Sequence, residues 1–313
     1  MTDMYALKAK LVKILDFIED KNDVIFMDYP IYHNVGDLLI MLGTLEFFKN
    51  NKINVRLHLS ASNLNLSKAV SSKTTIICQG GGNFGDLYHT HQNVRELLVG
   101  SFPNNKIIIL PQTAFFNSME NQKKSQDLFN KHNDVVMFAR DEKTHEIFKQ
   151  FSEKAYLMPD MAHELYGKLP KSNKQEGTLY FLRNDIEKTP LPSRLQQEIQ
   201  NQDRVDWSDL LTKYDHRTAY AVVKMMQVNS KLKSHILEEV IFKVWEAHSK
   251  ALVSRMSKKF SSYEKVVTSR LHGHILSCLM DIPSVIIDNS YGKNSAYYNL
   301  WTKDLETTSL WEK

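Results

Sequence analysis

Short, almost wholly apolar runs alternate with helix-like segments through the first half of the chain, and few architectures accommodate that pattern. Strand-like runs occupy 23–29 (DVIFMDY), 54–60, 74–78, 106–111 and 135–140, with helical spacing between them at 36–50, 93–100 and 142–151. A strand with no polar face is covered on both sides, and one separated from the next by a helix runs parallel to it. The pattern predicts an α/β fold with a Rossmann-like domain over residues 1–170. The polar, lysine-rich stretch 167–177, punctuated by Pro and Gly, marks a boundary. Beyond it come strand-like runs at 178–183, 265–268 and 284–288 and helical stretches at 208–228, 237–260 and 272–279. These predict a second Rossmann-like domain over 175–313, facing the first across a cleft. The aromatic-rich tail 295–311 is expected to pack back on the first domain, and Leu7, Leu11, Ile14, Leu15 and Ile18 form one stripe of an N-terminal helix.

The 313 residues are 42% hydrophobic and 24% charged, which excludes a disordered chain. Forty basic residues against 36 acidic ones leave a formal charge of +4. That excess suits anionic ligands or a membrane surface and does not call for nucleic acid. Cys78 and Cys278 each lie beside an apolar run, as reduced core thiols would. No run of 18 apolar residues and no secretory signal pattern occurs, so a cytoplasmic protein is expected.

The residues that carry chemistry sit in loops after predicted strands, where doubly wound sheets bind ligands. The glycine triplet Gly80–Gly82, followed by Asn83 and Asp86, and the turn Arg270-Leu271-His272-Gly273-His274 each run toward a predicted helix start. Backbone N–H groups converge on phosphate or carboxylate in that setting. Taken alone the triplet more often marks a tight turn; its spacing is neither a dinucleotide fingerprint nor a Walker loop. Arg140 ends a strand, a position that suits a cleft; the alternative is a surface arginine beside a helix cap at Asp141. His33, Asn34 and Asp37 precede an apolar helix, either as caps or as a ligand-facing loop. Gln112, Asp160, Asn289, Ser290 and Lys293 occupy further loops of the same kind. Asp160 and His163 have no HExxH motif or close His/Cys grouping around them, so no metal site is expected.

The ordered succession HNVGD, QGGGNFGD, PQT, ARDE, PD, SRLHGH and DNSYGKN over nearly the whole chain resembles the polysaccharide pyruvyltransferases. The resemblance implies the two-domain architecture of B-type glycosyltransferases, phosphoenolpyruvate as co-substrate with no cofactor, and a cyclic pyruvate ketal on a sugar of a capsular or exopolysaccharide unit. The acceptor implied is either a free sugar or one carried on a membrane lipid at the cytoplasmic face. It assigns donor binding to Gly80, Gly81, Gly82, Asn83, Arg140, Arg270, Asn289, Ser290 and Lys293, and catalysis to His272 with Arg270 and Arg140. His33, Asn34, Asp37, Asp86, Gln112 and Asp160 fall to the acceptor side. Histidine suits proton transfer near neutral pH, and a donor carrying phosphate and carboxylate suits paired arginines. His274, two residues past His272, is expected to support the turn. Two other readings stay open: a nucleotide-sugar glycosyltransferase of the same broad fold, and a non-catalytic glycan-binding protein.

Overall fold

The computed structural model describes residues 3–61, 70–185, 190–191, 193–199, 204–289 and 292–311. Its strands form two parallel sheets. The first contains β1 (Val24–Met27), β2 (Val55–Leu59), β3 (Thr75–Cys78), β4 (Gly81–Gly85), β5 (Ile107–Phe115), β6 (Val135–Ala139) and β7 (Lys154–Leu157), in the order β2-β1-β3-β5-β6-β7 with β4 also on β5. The second contains β8 (Thr178–Phe181), β9 (Arg204–Val205), β10 (Lys265–Thr268), β11 (Ser284–Ile286) and β12 (Thr308–Leu310), in the order β12-β11-β10-β8-β9. Every pairing is parallel.

Helices α1 (Met4–Lys10), α2 (Val35–Asn50), α3 (His89–Ser101), α4 (Met119–Phe129) and α5 (Glu142–Phe148) accompany the first sheet. Helices α6 (Ser193–Glu198), α7 (Lys213–Leu232), α8 (His235–Phe260), α9 (Leu271–Leu279) and α10 (Lys293–Tyr297) lie among the strands of the second. The predicted N-terminal helix is α-helical only to Lys10 and continues as a 3₁₀ segment, Leu11–Phe17, yet Leu7, Leu11, Ile14 and Ile18 are buried as one stripe. One continuous apolar core joins the sheets: Phe26, Leu38 and Phe138 of the first half belong to the same cluster as Phe181, Trp245 and Ile275 of the second. The Trp245 indole on α8 donates to the Pro30 carbonyl at 2.7 Å, fixing the loop after β1. The tail reaches the other way. The Trp301 indole donates to the Arg140 carbonyl at 2.7 Å, and the Tyr297 hydroxyl accepts from the Asp160 backbone N–H at 3.1 Å.

Two loop expectations are corrected. The glycine triplet does not open a helix: after Gly80 the chain becomes β4, and α3 begins only at His89. The PQT loop is likewise strand, inside the nine-residue β5. Both follow from one geometry, in which β3 pairs with Ile107–Ile109 and β4 takes over the same side of β5 at Gln112, Ala114 and Phe115. The glycines permit the close approach of backbones. A Cβ at Gly80 would lie 2.7 Å from the Pro111 carbonyl oxygen, and one at Gly85 would lie 1.9 Å from that of Phe115. Gly85 also has φ +113°, outside the range of L side chains.

Gly85→Ala therefore meets both a backbone clash and a forbidden dihedral. It is expected to destabilise the fold by about 2 kcal/mol or more, read as a lowered urea midpoint at unchanged slope. A midpoint equal to that of the parent protein would contradict the strand pairing described.

Candidate functional site

The carboxyl ends of both sheets point into one cavity of about 230 Å³. The loop after β1 contributes Tyr32 and Asn34, the first turn of α2 contributes Asp37, and the β4 region contributes Gly82 and Asn83. Arg140 follows β6 and Arg183 follows β8, while Trp207 follows β9. Arg270, Leu271 and His272 follow β10, and Lys293 begins α10 after β11. Tyr88 and His91, at the start of α3, complete the wall. Ligand sites of open α/β sheets form at this edge, because loops there leave strands whose backbone groups are already satisfied.

Arg140 is the most deeply buried of the cavity's cations. It is 1% exposed, its guanidinium bonds the Asp160 carboxylate, and Nη2 donates to the Thr113 hydroxyl at 3.2 Å. Burial alone would raise the Asp160 carboxyl, but the Arg140 guanidinium and His272 outweigh it and hold that group well below the usual carboxylate range. His272 Nε2 stands 3.4 Å from the same carboxylate. Its ring is seated on Gly36, where a Cβ would come 2.6 Å from Nδ1. The glycine in the first turn of α2 is thus the floor on which the histidine rests. Gly82 plays a matching part. A Cβ there would lie 3.3 Å from Arg140 Nη2 and 3.5 Å from Lys293 Nζ, so its hydrogen leaves open the space between two cations.

Asn83 is set by groups that sequence reasoning did not single out. The fully buried Arg95 donates to its side-chain oxygen at 2.6 Å and to its carbonyl at 3.1 Å. Asp28 accepts from the same arginine at 3.1 Å and pairs with His91 Nδ1 at 2.7 Å. Gln112 lies behind, donating to the Gln79 carbonyl at 2.8 Å and to Asn83 at 3.3 Å. Asp37 behaves oppositely to Asp160. Burial raises its pKa, against the lowering pull of His272, His91 and Arg140, and it retains a proton more readily than an ordinary aspartate.

Several predicted site residues sit elsewhere. Asp86 does not line the cavity; its carboxylate accepts from the Asn117 and Ser118 backbone N–H groups at 2.7 and 3.0 Å and holds the turn before α4. His33 faces away, its ring 5.3 Å from that of His216 and 5.8 Å from that of His248. Asn34 both lines the cavity and caps α2, accepting from the Gly36 N–H at 3.1 Å. Asn289 accepts from the Lys293 backbone N–H at 2.8 Å, starting α10 rather than lining the cavity. Gly80 and Gly81 do not line the cavity, and Ser290 lies outside the described residues. Arg270 lines the cavity but is clamped, its guanidinium bonding Asp206 at 2.6 Å through Nη2 and Asp185 at 2.9 Å. These carboxylates help keep it charged: burial works against the cation, and Asp206 and Asp185 more than compensate. His274 is buried between the Ser284 and Thr302 hydroxyls at 2.8 Å each, and burial lowers its pKa to about 3, which makes it a neutral packing residue. Tyr32, His91, Arg183 and Trp207 were not chosen from sequence, since no local spacing brings these residues together.

Fold and cavity define a parallel α/β protein with a small cationic site shared between two sheets. Residues 34–291 match the family model described as polysaccharide pyruvyl transferase. The chain is 38% identical over 309 residues to the Bacillus subtilis (strain 168) protein named "Putative pyruvyl transferase EpsO", covering 98% of this chain and 94% of that one. It is 26% identical to pyruvyl transferase 1 of Schizosaccharomyces pombe, covering 89% and 69%. A crystal structure of an uncharacterized protein from Klebsiella pneumoniae superposes with a TM-score of 0.66 at 22% identity, over all of both chains, and shares the fold. The chain belongs to the polysaccharide pyruvyl transferase family and is an enzyme of that class.

Gly82→Val should fill the gap between Arg140 and Lys293 while leaving the fold in place. Affinity for a small anion such as inorganic phosphate is expected to fall about tenfold or more by calorimetry, equivalent to about 1.4 kcal/mol, with little change in the unfolding midpoint. Unchanged affinity would remove that gap from the anion site. Asp37 gives a test of sign. Its folded pKa is raised, so ionising it opposes folding at pH values above that pKa, and the penalty vanishes below about pH 4, where the unfolded chain is also protonated. Asp37→Asn should therefore unfold later than the parent protein at pH 7, with the gain shrinking toward pH 4. A lower melting temperature for the variant at pH 7 would reverse the assignment.

Proposed function

We propose that the enzyme transfers pyruvate from phosphoenolpyruvate to two hydroxyls of a sugar in a capsular or exopolysaccharide unit, closing a cyclic ketal and releasing phosphate. The observation that carries the reading is the convergence of Arg140, Arg183, Arg270 and Lys293 on a single cavity of about 230 Å³. A three-carbon donor bearing both phosphate and carboxylate matches dense, anchored positive charge in a small volume. A nucleotide sugar would ask for the larger, more apolar pocket, usually about 300 Å³ upward, that such ligands occupy. The two sheets are read as the cores of two Rossmann-like domains, divided at 167–177 and arranged as in B-type glycosyltransferases.

In the proposed reaction a sugar hydroxyl adds through its oxygen to C2 of the enol and gives up its proton, while a proton is delivered to C3. The C2–O bond to phosphate then breaks, and the second hydroxyl adds to C2 and loses its proton. These protons pass through Asp37, whose burial favours the protonated form, and His272, seated on Gly36. Arg140, held by Asp160, and Lys293 flank the open space at Gly82 where an anionic group would sit. Asn34 and Tyr32 are the neighbours offered to the sugar. The acceptor is a sugar or a lipid-linked oligosaccharide, and the chemistry runs on side chains without a cofactor.

The direct test follows phosphate release from phosphoenolpyruvate with pools of soluble and lipid-linked oligosaccharides, with mass spectrometry for a pyruvate ketal on the sugar. Acceptor-dependent release with that product is expected. His272→Ala should lower kcat by about a hundredfold or more while leaving donor affinity largely intact. Lys293→Met should instead weaken donor binding by about 1.5–3 kcal/mol. Thermal stabilisation by a nucleotide sugar and none by phosphoenolpyruvate would overturn the reading in favour of glycosyl transfer.

A further inference from the structure

The helical hairpin α7–α8 carries a surface that the cavity does not explain. On α7 the buried positions Asp215, Val222, Met226 and Asn229 form one face. Lys213, Arg217, Lys224 and Lys231 recur on the opposite face at spacings close to whole turns, and all are exposed. Lys233 extends the set into the turn. The one acidic residue of the helix, Asp215, is buried and paired with Arg255 at 2.6 Å, so the exposed face of α7 has a single sign. None of these five cations forms an ion pair with a described residue. A solvated helix face ordinarily mixes charges, as α8 does with Glu239–Lys243 and Glu246–Lys250.

Large apolar side chains crowd the same surface. Tyr220 is 66% exposed, Leu232 64% and Ile236 79%; Val228 precedes the turn between the helices, and Val240 and Val244 follow it, all three exposed. Exposed apolar groups in such density mark an interaction surface. Three kinds of occupant compete. A second copy would pack the face on itself about a twofold axis and set lysine against lysine, which like-charge repulsion disfavours. An acidic protein would satisfy the charge, but a row of aliphatic side chains at the tip of a hairpin offers it no groove. A lipid surface satisfies both: anionic headgroups take the lysines, and the acyl boundary takes the aliphatic tip.

We propose that the α7–α8 hairpin docks the enzyme on an anionic phospholipid surface, with Leu232, Ile236 and Val240 entering the headgroup boundary and the α7 cations above them. The proposal stands on the hairpin alone and goes beyond the pyruvyl-transfer reading. Its geometry has a consequence for that site. Trp207 of the cavity wall lies six residues before α7, and His33, one residue before Asn34, is in ring contact with His216 on α7 and His248 on α8. The base of the hairpin thus adjoins the rim of the cavity.

Flotation of the intact protein with vesicles of phosphatidylcholine alone and of phosphatidylcholine mixed with phosphatidylglycerol tests the proposal without any substrate. Binding is expected only to the mixed vesicles and should weaken with added salt. The double variant Lys224→Gln, Lys231→Gln should bind roughly thirtyfold more weakly, from about 1 kcal/mol for each basic residue near an anionic surface. Leu232→Ser with Ile236→Ser should lose about tenfold or more. All four positions are exposed, so circular dichroism and phosphate release with a soluble acceptor should match the parent protein. Absence of flotation, equal binding by parent and variants, or a dimer in sedimentation that the variants dissolve would each overturn lipid docking.

Discussion

Asp160 is the charge around which the two halves of the molecule are organised. It is completely buried, and an isolated carboxylate in that position would be costly enough to stay protonated. The chain surrounds it from both sides: Arg140 from the neighbouring strand end, His272 from the second half, and the Tyr297 hydroxyl on its backbone N–H. Breaking a buried pair of this kind costs about 3–5 kcal/mol, because the partner is left charged in a dry environment. Asp160 therefore fixes more than an arginine side chain. It requires that α9 and the tail stand where they do, and the cavity is what remains between them.

The cavity combines two demands that ordinarily conflict. Concentrated positive charge is needed for a small anion, yet guanidinium groups held close together repel one another and are poorly hydrated when buried. The structure answers with carboxylates on the far side of the cations: Asp160 behind Arg140, and Asp206 and Asp185 on Arg270. Each orients its arginine and lowers the self-repulsion of the unliganded site, at the cost of donors that a ligand could have used. Arg140 keeps its Nη2 edge turned toward Gly82, whereas Arg270 has more of its fork engaged. The two are unequal partners despite their equal prominence in the sequence.

Parallel strands were legible because a run such as Ile107–Leu110, buried without exception, leaves no polar face to read otherwise. Arg140, Arg270, His272 and Lys293 drew attention because each follows a strand end within the ordered motifs, and the fold brings all four to the wall of one cavity. Reading Gly80–Gly82 as the mouth of a helix failed because glycine reports only that a side chain does not fit. Here the obstacle at Gly80 is the neighbouring strand, and at Gly82 it is the space between two cations. Asp86 looked like a cleft carboxylate, but backbone amides of another loop had a prior claim on it. Arg95, Asp28 and His91 escaped notice because their contact depends on α3 crossing the loop after β1, a juxtaposition with no short-range signature.

The order in which the chain is made acquires significance from Trp301 and Tyr297. Arg140 and Asp160 are synthesised near the middle of the chain, but the indole that holds the Arg140 carbonyl and the phenol that holds the Asp160 amide come almost last. During elongation the first sheet can pair its strands while its central charged pair lacks these partners and His272. Sequence separations of 161 and 137 residues close the site, so its charged interior belongs to the long-range contacts that a folding chain makes late.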